Sequence, residues 1–439
     1  MKDESYDTFK YPRAIYSRTD EFKCLYGPFT SLVDKIIFKL RFFIKKIPTA
    51  ERPKFMAKEF EDLYGLFDVI DFERYEAHHT RELMYAIQWV LYKHIFQNVE
   101  KFDFLEFCFK KVISNWNMCY FKWFAMIILA TRMSGEMDTS VMNGFCTLMI
   151  ILFLYFDKYK IDITDIIKMF LEGDDSIHKR LFDGLNNKDF LSLGITAKIE
   201  TYECFSYASF CGLVADPYDF INTTDPISYL CDFFWMRRPY ANSRSSKLTS
   251  LLRCKALSCL YQYPGCPILY SMAKSIIRLT EDFDIDDDSL FKFLGSYRYE
   301  EFIKNRTYAS KNPEIFSFNT PDNTRLLCFN LYGIEIRHQI EIEQWFDQLT
   351  NLFVPIIDTF NIYLKPEHIS YYSNYCCQVD SNNDNLILHH MPMNNIINND
   401  RSSLYSFLNK QLVTNKDLKI LYHKLNKTIA GLVGPAFEF

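Results

Sequence analysis

Glycine is scarce in this sequence: 13 residues in 439, against 41 phenylalanines and 29 tyrosines. Loops with so few permissive residues are stiff, and the core they connect is aromatic-rich. The thirteen cysteines include no C-x-x-C pair, and Cys376-Cys377 is the only close pairing. That pattern supports neither a zinc site nor a disulfide framework and reads as reduced thiols. Basic excess is missing too. With a net charge of −5, the surface is no generic polyanion trap, so any nucleic-acid contact has to come from a local basic channel. Residues 1–10 are polar and charged, unlike a secretory leader. One long uncharged run needs a membrane check, from Thr139 to Phe156 with 145-FCTLMIILFLYF-156 at its heart. Polar residues in its first turns and Asp157-Lys158 at its end predict a buried core helix rather than a span. Apolar content of 49% and charged content of 24% are those of a globular chain, long enough for two or three domains.

Several elements are legible from periodicity. The stretch 31-SLVDKIIFKLRFFIKKIP-48 predicts an amphipathic helix capped by Ser31 and stopped by Pro48. Its Leu32, Ile36, Leu40, Phe43 and Ile47 form a core-facing stripe, and its lysines form a solvated back. Residues 80–115 are helix-like, with short aromatic and β-branched runs around 119–131. Residues 247–279 predict two helices broken at Pro264-Gly265. The Asn-rich stretch 379–403 predicts a loop, with His389-His390 an exposed pair. Asp286-Asp287-Asp288 is expected to be a solvated helix start.

The chemistry centres on 171-LEGDDSI-177. A strand-turn-strand bent at Gly173 would lift Asp174 to the rim of a sheet. Upstream, 68-DVIDFERYEAHHT-80 places a carboxylate at the end of an apolar strand with a second acid five residues later; Asp68 with Glu73 and Asp71 with Glu76 both fit. The segment 132-RMSGEMDTSVMN-143 is a Ser134-Gly135 loop running into a helix. It sets Thr139 and Asn143 on one helical face, suited to a ribose and its 2′-hydroxyl. Near the start, 11-YPRAIYSR-18 presents Arg13 and Arg18 among strand-formers, and guanidinium forks match phosphate oxygens. Downstream, 194-GITAKIE-200 offers Lys198 on a strand, followed by the short apolar strand 208-ASFCGLV-214.

This succession resembles the palm of a viral RNA-dependent RNA polymerase of positive-strand RNA viruses, of the tombusvirus-like group. The order is an Arg-containing strand, acid-x4-acid, S-G-x3-T-x3-N, G-D-D, a lysine, then F-C. The string R-M-S-G-x-M-x-T-S-x-x-N is close to that group's version, and 251-LLRCKALSCLYQYPGCPIL-269 resembles a thumb element. The resemblance covers roughly residues 10–280. It implies an α+β right-hand polymerase with an antiparallel-sheet palm. Residues 1–66 would be partial fingers, 67–215 the palm with a helical fingers insertion around 80–125, and 216–439 the thumb and C-terminal region. The family pattern at Arg74-Tyr75-Glu76-Ala77-His78 selects Asp71 as metal ligand and Glu76 as the ribose-facing acid, where most relatives have Asp. Tyr11 stands where relatives often carry a basic residue.

The roles implied are RNA-templated RNA synthesis by two-metal nucleotidyl transfer. Asp71, Asp174 and Asp175 would hold two Mg²⁺ ions, with Mn²⁺ as substitute. Lys198 would be the general acid for pyrophosphate, and Arg13 and Arg18 would neutralise the triphosphate. Ser134, Gly135, Thr139 and Asn143, with Glu76, would bind the nucleotide sugar. Template RNA, nascent RNA and NTPs are the implied partners, alongside other replication proteins, in host cytoplasm at membrane-associated sites reached through other parts or partners. Independently, two ionised carboxylates about 4 Å apart repel by roughly 4 kcal/mol at an effective dielectric of 20, so a converging set calls for a cation. Two alternatives stand beside this assignment. One is a catalytically incomplete fragment acting as a replication-complex subunit, since these polymerases carry a long fingers region ahead of the Arg-containing strand. The other is a reverse transcriptase, which usually shows aromatic-x-D-D and lacks the S-G-x3-T-x3-N arrangement.

Overall fold

The computed structural model describes residues 14–121, 123–233, 243–352 and 362–368, with backbone alone at 245, 293 and 297. Arg13, Cys376-Cys377 and the stretch 379–403 with His389-His390 lie outside the described residues. Along the chain run α1 (Asp20–Ile37), α2 (Arg52–Phe60), β1 (Tyr64–Phe72), α3 (Tyr75–His78), α4 (Arg81–Met84), α5 (Val90–Phe96) and α6 (Phe102–Val112). A ribbon of β2 (Asn117–Tyr120) and β3 (Ala125–Ile128) leads to the long helix α7 (Thr139–Tyr159). Then come β4 (Met169–Glu172), β5 (Asp175–Lys179), α8 (Asn187–Leu191), β6 (Ala197–Cys204) and the short pair β7 (Val214–Ala215) and β8 (Asn222–Thr223). The last described part is helical: α9 (Pro226–Phe233), α10 (Ser245–Gln262), α11 (Leu269–Leu279), α12 (Asp287–Lys311), α13 (Asp322–Tyr332) and α14 (Ile336–Asp347). Helices and antiparallel sheets are therefore mixed in one chain.

The central sheet has the order β4-β5-β1-β6, with every neighbouring pair antiparallel. Side chains alternate between its faces, and each face has its own core. Ile70, Phe72 and Leu171 pack with Met142, Cys146 and Ile151 of α7. On the other face, Phe67, Phe170 and Ile177 pack with Met56 and Phe60 of α2. Phe60 meets Phe67 and Phe170 edge-on, both at 5.0 Å between ring centroids. A third core joins α9, α10, α11 and α14. The break predicted at Pro264-Gly265 falls between α10 and α11. Asp286 caps α12 by accepting from the Asp288 N–H and is exposed. Helix α7 is long and apolar enough to cross a membrane by length and composition, and 61% of its most apolar stretch is buried.

Two expectations fail at the start of the chain. The helix begins at Thr19, whose side chain accepts from the Phe22 N–H, runs through Pro28, and ends at Ile37 rather than Pro48. Its buried stripe is Tyr26, Thr30, Val33 and Ile37, whereas Leu32 (48%), Ile36 (43%) and Leu40 (39%) are exposed. Two apolar stripes of the same period interleave here. The one carrying Tyr26 wins because its ring packs against Phe22 and Tyr92. The second failure is the Arg-containing strand, since residues 14–19 form no strand.

Asp68 lies inside β1, and its burial has a structural explanation. Arg180 donates to it from Nε and Nη2, and Thr201 donates from its hydroxyl at 2.7 Å. His178 stands 3.8 Å away and is held neutral, its pKa lowered by burial to about 4. This carboxylate is fully spent on the sheet. Replacing Asp68 with Ala should destabilise the fold by about 3 kcal/mol in urea unfolding, because Arg180 then loses its buried partner.

Candidate active site at the β4–β5 turn

The hairpin β4–β5 closes with two residues, Gly173 and Asp174, between the paired Glu172 and Asp175. Gly173 has φ +69°, the left-handed value that a II′ hairpin turn requires at its first central position. Beside it, β1 runs antiparallel to β5 with Ile70 opposite Ser176, so Asp71 ends its strand next to the turn. Asp71 is exposed there, three residues from the buried Asp68 and on the opposite face. Asp71 is also paired in register with Lys198 on β6. The period of two thus sends Asp71, Glu172, Asp175 and Lys198 to one face at one end of the sheet.

Charge gathers at that end. The Asp175 carboxyl is pushed up to about 6, first by burial, then by the negative charges of Asp174 and Asp71, with a hydrogen bond from Cys211 opposing. Cys211 sits at the Phe210–Leu213 turn, and its thiol also lies 3.9 Å from Glu172 Oε2. Burial and the Glu172 and Asp175 charges raise its own pKa well above that of a free thiol. Lys198 pairs with Glu200 at 2.6 Å, which holds its proton more firmly than usual. Three carboxylates offer hard oxygens of the kind Mg²⁺ takes, and their mutual repulsion is what a cation relieves. Among the described residues, however, no group of three or more His, Cys, Asp or Glu side chains is gathered closely enough to hold a metal ion.

A second set of predicted residues forms the wall beside the turn. The Tyr16 N–H donates to the Ser134 carbonyl at 2.7 Å. Gly135 has φ +105°, and a Cβ there would stand 2.6 Å from Ile15, so both conformation and space demand glycine. The Thr139 hydroxyl donates to the Met133 carbonyl at 3.0 Å. These groups shape the loop. On the next turn of α7, Asn143 Nδ2 donates to Glu76 Oε1 at 3.4 Å, while Asn143 Oδ1 is buried with no partner. Arg18 is used differently from the sequence-based expectation. Its Nε donates to the buried Glu136 at 2.8 Å and its Nη1 to Asn117 at 2.7 Å. The fork expected to face phosphate is committed to a side-chain carboxylate, because Glu136 would otherwise be a buried charge without a partner.

No family model matches the sequence, and no curated protein matches it. Among solved structures, the chain is similar to an insertion-loop deletion mutant of the RNA-dependent RNA polymerase of a human picobirnavirus. The match has 11% sequence identity and a TM-score of 0.48, and it covers 70% of this chain. It spans 59% of that polymerase's length.

Sequence reasoning missed three neighbours of the turn. Arg52, buried at the start of α2, binds Glu172 at 2.8 Å. Gly144 lets α7 lie against the turn, since a Cβ there would be 2.8 Å from the Phe43 ring and 3.4 Å from the Gly173 carbonyl. Phe43 itself bridges to Leu171 on β4. A glycine inside an apolar helix of a glycine-poor chain was the one available signal.

Asp175 yields a signed pH dependence. An unfolded aspartate titrates near about 4, so between that value and about 6 the folded chain holds more protons, and stability falls as pH rises. Asp175→Asn removes this penalty. Its advantage over wild type should be nil near pH 3.5, grow through about pH 4–6, and level off at about 2 kcal/mol after allowance for solvent screening. Urea unfolding across pH checks this. Asp34 is also raised to about 6, mainly by burial, so the difference between variant and wild type is the quantity to follow.

Proposed function

We propose that this chain is an RNA-dependent RNA polymerase that adds nucleotides to a primer 3′ end on an RNA template. The observation that carries the proposal is the placement of Asp71 and Asp175 on neighbouring strands at one sheet end, beside the turn that holds Asp174. The charges of Asp174 and Asp71 act on Asp175 there, at a glycine-bent hairpin turn. The motif order from Asp71 through Ser134, Thr139, Asn143 and the G-D-D turn to Lys198 supports the same assignment. The tombusvirus-like affiliation rests on the string 132–143 alone, and the palm, fingers and thumb layout is part of the proposal.

In this scheme Asp71, Asp174 and Asp175 would hold two divalent ions through their carboxylate oxygens. Bound there, Mg²⁺ would acidify the primer hydroxyl and neutralise the triphosphate. The chain's own groups do the rest. Lys198, exposed and opposite Asp71, gives a proton to the departing pyrophosphate. Glu76 and Asn143 read the ribose: Asn143 Nδ2 is committed to Glu76, and the partnerless Oδ1 accepts from the 2′-hydroxyl. Ser134, Gly135 and Thr139 keep that wall in place. Arg18 acts through Glu136 to fix the same loop, which leaves direct triphosphate neutralisation to Arg13.

The test is primer extension by the full chain on an RNA template with NTPs and Mg²⁺. Wild type should incorporate label, and Asp174→Ala or Asp71→Ala should fall to background. Incorporation that survives Asp174→Ala rejects the site. A wild-type chain that incorporates nothing rejects the activity and leaves the subunit alternative. Asn143→Ala should lower the preference for NTP over dNTP by about tenfold, the worth of one hydrogen bond of ~1–1.5 kcal/mol.

A further inference from the structure

The catalytic turn is linked by charge to the C-terminal helices. Arg52 binds Glu172, the residue just before Gly173-Asp174, at 2.8 Å, and its Nε donates to the Ile47 carbonyl at 3.2 Å. Its Nη2 stands 3.8 Å from Glu301 on α12. Glu301 also binds Lys304 at 2.8 Å and accepts from the Thr49 hydroxyl at 3.4 Å. Lys304 in turn donates to the Lys45 carbonyl at 3.0 Å. Next to it, the buried Asn305 accepts from the Thr49 N–H at 3.2 Å, and Asn222 donates to the Thr49 carbonyl at 2.5 Å. Residues 42–52 are therefore a strap, with α12 on one side and β4 on the other. At the β4 side, the Leu171 N–H donates to the Phe42 carbonyl at 2.8 Å.

Arg52, Lys304 and the strap's own Lys45 face Glu172 and Glu301, in a setting where burial makes both lysines easier to deprotonate. Without the Glu301 charge, these partly desolvated cations would crowd around Glu172, with Asp34 the other acid acting on Lys45. The strap would then lose its hold on α12, and Glu172 would no longer have one fixed partner.

We propose that α12 positions the catalytic turn: Glu301, acting through Arg52 and the strap, fixes Glu172 and so sets where Asp174 and Asp175 stand. Glu301 touches no reacting atom and is a positioning residue. Its effect on turnover rests on the polymerase assignment above, whereas its effect on the turn does not.

The experiment compares the full chain with Glu301→Gln and with Arg306→Ala. The latter removes an exposed pair with Asp287 on the same helix, outside the seam. Amide hydrogen exchange is measured without RNA or nucleotide. Glu301→Gln should speed exchange in 42–52 and 169–176 by about tenfold, while 64–72 and the Arg306→Ala chain stay at wild-type rates. In primer extension the same variant should lose roughly tenfold in kcat with the NTP KM unchanged, and Glu301→Asp should recover part of it. Unchanged exchange at 169–176, or faster exchange everywhere, overturns the proposal whether or not the chain polymerises. If Glu301→Gln does not fold, Lys304→Met cuts the seam at its other cation and is read by the same exchange pattern.

Discussion

Carboxylates brought to one end of a sheet repel one another, and the candidate site depends on how the chain offsets that repulsion. Two ionised carboxylates brought to about 4 Å at an effective dielectric of 20 would repel by roughly 4 kcal/mol. The nearby cations do not cancel it. Arg52 is taken by Glu172 and Lys198 by Glu200. Asp175 answers by binding its proton more tightly.

The two aspartates of β1 show how burial divides residues of one type between structure and chemistry. Asp68 and Asp71 are three positions apart and so lie on opposite faces. Asp68 meets α7 and is enclosed by Arg180, Thr201 and His178, an arrangement that uses up its acceptor capacity. Asp71 ends its strand in solvent, with a backbone partner in Lys198 and no enclosing set of donors of that kind. Burial and filled hydrogen bonds make the first aspartate part of the fold, whereas the second keeps its side chain exposed.

Features set by local chemistry were legible in the sequence. Gly173 marks the bend because few other residues tolerate positive φ, and Pro264-Gly265 breaks a helix for reasons contained in the dipeptide. Lys198 lies on β6, the strand expected within 194–200. Features set by distant partners were not legible. Leu32 and Ile36 form as good a stripe as Tyr26 and Val33, and only packing against Tyr92 decides which is buried. Arg18 is suited to phosphate as an isolated side chain. Its engagement with Glu136, 118 residues away, follows from a fold that leaves that carboxylate buried. Glu172 and Arg52 carry no local signature at all.

The first turns of α7 join these parts mechanically. Thr139 ties the helix start to the Ser134-Gly135 loop, which residues 15 and 16 hold from outside. Ser140, one residue on, accepts from Lys45 of the strap at 2.6 Å. Asn143 reaches Glu76, and Gly144 lies against both Phe43 and the Gly173 backbone. Four residues of one helix thus touch the Ser134-Gly135 loop, Glu76, the strap and the carboxylate turn. Protein interiors are too densely packed to absorb a shift at one of these contacts without moving the others. A side chain added at Gly144 would press on the turn and the strap together, so the geometry of the carboxylate turn and that of the wall formed by the start of α7 are set by the same few contacts.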